Sequence, residues 1–350
     1  MVRSVVGSTD HEMQIVLLLP FYVDKNIEEE KARRNASLND TLILDRPKKY
    51  EEQIFERSEI ALHFYEGLLL AVDSLSKLGY AVNIKVIDTE NRPWKVQQLI
   101  KTGKLSDSDL IIGPFYSKVF TKVAEFAERH CIPIISPTIR SNAIIKENPY
   151  VFKLIPSPES MVFEMGRYVA ASDSTNNLIL HYGREDEQLY IWKFRQALES
   201  IGVDPSNFPS YNVYRVGKDS IRMELSLSSR NNVIVLSENQ VSLNSMVRSL
   251  SDWSEDTYIV CFAPNSWSKF KSMDVDHFDR LRLRMPKPFF IDYERLEVQN
   301  FVKEFRERYQ TEPNTFAFRG YDIGMHFIQN LDGIVNDGPD YMLSVRETGL

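Results

Sequence analysis

Hydrophobic and polar positions along this chain follow two rhythms, and their order predicts the architecture. Short apolar-rich runs at residues 14–19, 81–88, 110–112 and 132–136 have the length of parallel strands, and the last two are continuously apolar, as strands covered on both faces must be. Between the first two runs, Ala61, Leu62, Tyr65, Leu68, Leu69, Val72, Leu75 and Leu78 recur at the helical period, and Gly79 supplies a stop. This spacing predicts a helix over 58–78, with others at 94–101 and 117–130. The second half repeats the scheme. Strands are expected at 177–181, 211–216, 233–236, 258–262 and 288–292, and helices at 158–171, 185–201, 218–229, 242–253, 295–309 and 320–331. Alternating strand and helix signals of this kind predict an α/β chain with parallel sheets.

Two stretches break the rhythm. Residues 24–53 are long, charged and weakly periodic where a strand-to-helix connection normally takes roughly 2–6 residues; they read as a solvated insertion or a lid over a ligand. Residues 332–350 carry no clear strand. Residues 148–156 (NPYVFKLIP around an extended core) have prolines near both ends and look like a crossover between lobes. The expected organisation is an N-terminal α/β lobe over 14–149, a C-terminal lobe over 150–292 and closing helices over 293–350.

Composition narrows the function. At 350 residues the chain exceeds one comfortable core, so two lobes are the default. A net charge of −7 argues against nucleic acid or an anionic membrane as partner, and no apolar run is long enough for a membrane span. The first thirteen residues lack the apolar stretch of a secretory signal. Cys131 and Cys261 are expected as buried free thiols, and six scattered histidines suggest no metal site. Neither a GxSxG elbow, an HExxH, a P-loop nor a GxGxxG is present, so neither an enzyme nor a cofactor is expected.

Candidate binding residues gather where strands end. Open α/β sheets bind ligands at the carboxyl ends of their strands, beside helix N-termini that offer free amides. In DLIIGPFYS, Tyr116 and Ser117 stand in that position; in CIPIISPT and the residues after it, Ser136, Thr138 and Arg140 do. Each has a plainer explanation: Ser117 as a helix cap, Ser136 and Thr138 as turn residues around Pro137, Arg140 as a surface ion pair. In the second half, Glu238 and Asn239 could hold a ligand or cap a helix, and Asp186 could do the same at a helix start.

Taken together, QIVLLLPF, FYEGLLLAVDSL, DLIIGPFYS, CIPIISPT, YVFKLIPSPESM and FRGYDIGMHFI resemble the type I periplasmic binding proteins, the superfamily of branched-chain amino acid binding proteins and receptor ligand-binding regions. The resemblance spans residues 14 to about 331. It implies two doubly wound parallel-sheet lobes joined by a hinge, closing without catalysis over a small polar ligand such as an amino acid, peptide or cell-wall fragment. It implies an extracytoplasmic protein with a transporter or envelope partner. In amino acid binders of this superfamily, the positions matching Ser117, Ser136, Thr138 and Arg140 grip the ligand, and the loops matching 182–187 and 237–239 complete the site. The phrases VIDTEN, GPFYSKVF, SNAIIKENPYVFK and VLSEN are similar to modules found behind LysM repeats in Bacteroidetes-type envelope proteins, which would place a signal and any such repeats upstream of Met1. An alternative within the same fold is a structural or regulatory envelope module that binds another protein.

Overall fold

The computed structural model describes residues 12–39, 54–146, 148–172, 176–270 and 274–331. Its chain divides into two units, Met1–Ile155 with Ile291–Leu350, and Pro156–Phe290.

In the first unit the elements run β1 (Met13–Leu19), α1 (Val23–Asn39), α2 (Glu56–Lys77), β2 (Val82–Asp88), α3 (Pro93–Lys101), β3 (Leu110–Ile112), α4 (Ser117–Arg129), β4 (Ile134–Ser136), α5 (Ala143–Lys146) and β5 (Val151–Lys153). The second unit runs α6 (Pro158–Ala170), β6 (Asn176–His181), α7 (Glu185–Ser200), β7 (Ser210–Asn212), α8 (Val213–Val216), α9 (Lys218–Met223), β8 (Asn231–Val235), α10 (Gln240–Trp253), β9 (Ile259–Phe262) and α11 (Val275–Arg280). The chain then returns to the first unit as α12 (Leu296–Tyr309) and α13 (Thr315–Ile323), which continues as a wider π-helical turn over Gly324–Ile328.

Both sheets are wholly parallel, with orders β2-β1-β3-β4-β5 and β7-β6-β8-β9. The apolar runs explain why each is covered on two faces. Along β1, Ile15, Leu17 and Leu19 join Phe64, Leu68 and Ile323 in one core, while Val16 and Leu18 join Val96, Phe120 and Val123 in another. Along β8, Val233 and Val235 pack with Leu243 and Trp267, and Ile234 with Phe194 and Val162. The strand period of two sends alternate residues to opposite faces.

The closest helix contact in the first unit depends on glycine. A Cβ on Gly67 of α2 would lie 1.9 Å from the Ala317 carbonyl oxygen, and one on Gly320 of α13 would lie 2.0 Å from that of Phe64. The two backbones therefore touch directly, which only glycine permits.

Five expectations change. Residues 23–39 form a helix instead of an irregular insertion; 40–53 lie outside the described residues. The helix shows little amphipathicity, but it is rich in good helix formers and carries i,i+4 pairs Lys25–Glu29 (3.8 Å) and Glu30–Arg34. The strand expected over 211–216 stops at Asn212, whose Oδ1 accepts from the Tyr214 N–H (3.1 Å) and starts α8. No strand forms over 288–292. Residues 281–284 lie beside β9 instead, with Cys261 N–H donating to Leu281 O (2.9 Å) and Arg284 N–H to Cys261 O (2.8 Å); Pro286 and Pro288 lack the N–H to continue. The helix expected over 218–229 ends at Met223, because Ser226 and Asn231 side chains hold the following turn. At the C-terminal end, α13 starts five residues before the expected Gly320, capped by Asn314 Oδ1, which accepts from Phe316 N–H (2.8 Å). The ending at 332–350 lies outside the described residues.

The two cysteines also part company. Cys261 is buried, and burial pushes its thiol up to about 12. Cys131 is exposed, because it occupies a left-handed turn position (φ 55°) after α4 instead of the strand.

Candidate functional site

At the carboxyl end of the first sheet the backbone is bent into sparsely populated conformations. Tyr22 after β1 (φ 51°) and Glu90 and Asn91 after β2 (φ 46° and 54°) are all left-handed without being glycine. Such residues persist only where surroundings impose them, and they cluster at functional sites. The surroundings here are the Asp88 carboxylate, which accepts from the amides of Phe21 (2.9 Å), Tyr22 (3.2 Å), Val23 (2.9 Å) and Glu90 (2.9 Å). One side chain thus shapes two loops and starts α1. Asn26 and Ser58 stitch the same loop to α2: Asn26 Nδ2 donates to Phe21 O (3.0 Å) and Ser58 Oγ (2.8 Å), and Ser58 Oγ donates to Phe21 O (2.6 Å).

This frame places Tyr22 against Tyr116. Burial first, then the neighbouring Tyr116 hydroxyl with which it shares a hydrogen bond, push the Tyr22 phenol up to about 12; Asn91 also bonds to it. Tyr116, half-buried, precedes α4 with extended backbone (φ −106°, ψ 134°), and no side chain accepts a hydrogen bond from the helix's first turn. The amides of Ser117 and Lys118 take no partner among the described residues, and the Ser117 hydroxyl is exposed beside them. An uncapped helix start of this kind presents donors and partial positive charge to an anionic or carbonyl group.

The β4 candidates divide. Ser136 is fully buried and its Oγ accepts from the Ile139 N–H (3.1 Å), the turn role of its plainer reading. The Thr138 hydroxyl donates to Phe115 O, tying the β3 and β4 loops together. Arg140 is half-buried; its carbonyl accepts from Lys153 Nζ (3.0 Å), and its charge helps burial hold the guanidinium of Arg319 on α13 below its ordinary range. The structure thus brings Tyr116, Ser117, Thr138 and Arg140 to one sheet end. Phe115 is core, edge-on to Phe64 at 5.1 Å.

In the second unit the candidate side chains are already engaged. The Asn239 side chain caps α10, accepting from Val241 (3.1 Å) and Ser242 (3.3 Å). Glu238 accepts from the Tyr190 hydroxyl at 3.1 Å, and burial followed by that carboxylate raises the phenol's pKa. Asp186 pairs with Arg184 at 3.1 Å at the solvent-exposed start of α7. Behind that start the buried Glu187 accepts from the amides of Tyr182 (2.8 Å) and Arg184 (3.0 Å) through Oε2.

Tyr22, Asp88, Asn91 and Arg319 were not singled out from sequence. Asp88 and Asn91 lie in VIDTEN, a phrase that carries the resemblance, and Tyr22 directly follows QIVLLLPF; a positive φ leaves no mark in composition. Among the described residues no cluster of His, Cys, Asp and Glu could hold a metal ion, and no helix is long and apolar enough to cross a membrane.

No family model matches the chain, and no curated protein matches it by sequence. Solved structures do match in fold. A protein from Rhodospirillum rubrum assigned to branched-chain amino acid ABC transport superposes with a TM-score of 0.63 at 14% identity, covering 95% of this chain and 89% of its own. An ABC-type branched-chain amino acid transporter from Rhodopseudomonas palustris gives 0.57 at 13% identity, covering 95% and 83%. An ABC transporter substrate-binding protein from Desulfitobacterium hafniense, solved in complex with Leu, gives 0.53 at 16%, covering 97% and 90%. Two parallel α/β lobes in this topology are the type I periplasmic binding protein fold, and that is the fold of this chain.

Proposed function

We propose that the protein is an extracytoplasmic solute-binding module that takes a small polar ligand at the strand ends and closes on it without catalysis. The observation that carries this reading is the open start of α4. Its first amides and the Ser117 hydroxyl stand free beside the strained Tyr22–Asn91 loops, with Tyr116, Thr138 and Arg140 at the same sheet end. Donors of this kind suit a carboxylate or a peptide carbonyl, and the tyrosine faces suit an apolar or sugar portion. The Leu complex of the Desulfitobacterium protein supports a carboxylate-bearing ligand. The half-buried Arg140 at the same sheet end favours one larger and more polar than leucine, such as a peptide or muropeptide. The narrower resemblance to LysM-associated modules points the same way, toward the cell envelope and a transporter or envelope partner.

A thermal-shift screen of amino acids, short peptides and muropeptides tests the reading. A ligand at one hundred times its dissociation constant adds about 2.7 kcal/mol of stability. Silence across that library would favour the alternative, a module of the same fold that binds another envelope protein.

A further inference from the structure

We propose that the second unit, on residues other than those at the start of α4, carries a pocket for a small organic molecule bearing an oxyanion, carboxylate or phosphate, at the carboxyl ends of β6 and its edge neighbour β7. The recess has a volume of about 500 Å³ and is bounded by His181, Gly183, Gln188, Ser210, Asn212 and Arg215. None of Asp186, Glu238 and Asn239 lines it, and neither does any carboxylate. Small-molecule pockets span roughly 300–1,000 Å³, so the space suits an organic molecule better than a bare ion.

The lining offers donors. Gly183 N–H donates to His181 Nδ1 at 3.1 Å, so the neutral imidazole carries its proton on Nε2. His181 is 9% exposed, and Nε2–H has no partner among the described residues. Burial, and beyond it Arg195 and Arg215, lower its pKa against the opposing pull of Glu187. Asn212 Oδ1 is taken by the Tyr214 amide, which leaves Nδ2 to donate. That nitrogen lies 2.5 Å from where a Cβ on Gly183 would sit, so the left-handed glycine (φ 82°) is what lets it approach. Arg195 Nη2 holds Ser210 Oγ at 3.1 Å, and neither it nor Arg215 pairs with an acid among the described residues. The acid acting on His181, Glu187, does not line the recess; its Oε2 is occupied by two amides and its Oε1 is buried without a hydrogen-bond partner. Convergent donors and guanidinium groups without a salt-bridge partner among the described residues, with no carboxylate in the lining, select an anion.

The experiment titrates the whole chain with inorganic phosphate and, separately, with succinate, following the His181 ring signals by NMR and the affinity by calorimetry. At least one probe is expected to bind and shift the His181 Nε2–H, and the stronger one names the anion class. Arg215→Gln, at an exposed position, should weaken that probe about tenfold or more with an unchanged unfolding midpoint, and Arg215→Lys should restore part of it. Ser117→Pro, at the α4 start, should leave it unaltered, so this site and the one proposed above fail independently. Failure of both probes to bind at tens of millimolar, or equal binding by Arg215→Gln, overturns the proposal.

Discussion

Helices α4 and α10 each follow the strand next to the first of their sheet, β3 beside β1 and β8 beside β6, yet they begin differently. Asn239 caps α10 and closes it; α4 begins after an uncapping tyrosine with its amides open. The buried carboxylates differ in the opposite sense. Glu187 of the second unit anchors two amides through Oε2 and leaves Oε1 without a hydrogen-bond partner, whereas Glu66 of the first, on α2, anchors no amide and has Oε2 unpartnered 3.9 Å from His63 Nδ1. At the two helix starts a polar side chain serves the fold in one unit, while amides stand open in the other. A polar residue after a strand is therefore no evidence of a ligand until its partners are counted.

The largest expected effect sharpens the contrast in helix packing. Gly67→Ala drives a methyl into the Ala317 carbonyl and should cost about 3 kcal/mol or more in urea unfolding. In the second unit Gly166→Ala meets the Ala197 Cβ at 2.8 Å and should cost about 1–2 kcal/mol. Equal losses would remove the distinction between backbone and side-chain contact.

Glu66 comes next. Burial raises its pKa from 4.5 to about 7, so between those values the folded state holds a proton that the unfolded state has released. Stability from this group therefore falls as pH rises through that window and stays low above it. His63, lowered by burial, acts oppositely: its contribution is lost as pH falls below its ordinary 6.5. Glu66→Gln should leave stability unchanged below pH 4.5 and raise it by up to about 3 kcal/mol above pH 7, measured as the difference from wild type at each pH. Glu187→Ala should do the reverse at neutral pH, costing about 2 kcal/mol by stranding the Tyr182 and Arg184 amides.

Smallest is the cap itself. Asn239→Ala should cost about 1 kcal/mol, while Ser117→Ala should stay within about 0.5 kcal/mol because Ser117 caps nothing.

Much of this organisation was legible in the sequence where one kind of signal decided it. Continuous apolar runs located β1, β3, β4 and β8, since a strand covered on both faces leaves no alternative to such a run. The charged α1 was missed because its stability comes from propensity, ion pairs and the Asp88 carboxylate, none of which leaves an apolar period. Strand 288–292 was wrongly expected because apolar content outweighed the two prolines beside it. At the candidate site, strand-end position singled out Ser117 and Asn239 alike. It could not tell which side chain was already bonded, because that depends on residues distant in sequence, as Thr138 reaching Phe115 O and Tyr190 reaching Glu238 illustrate.

The open start of α4 can be tested with Ser117→Pro. Proline fits the first helical position after an extended Tyr116, so the fold should survive while one amide donor and the hydroxyl disappear. Melting curves of both proteins, with and without the best stabiliser of the wild type, should show the same midpoint alone and a ligand shift only in the wild type. An undiminished shift in the proline variant would contradict the assignment of the ligand to this helix.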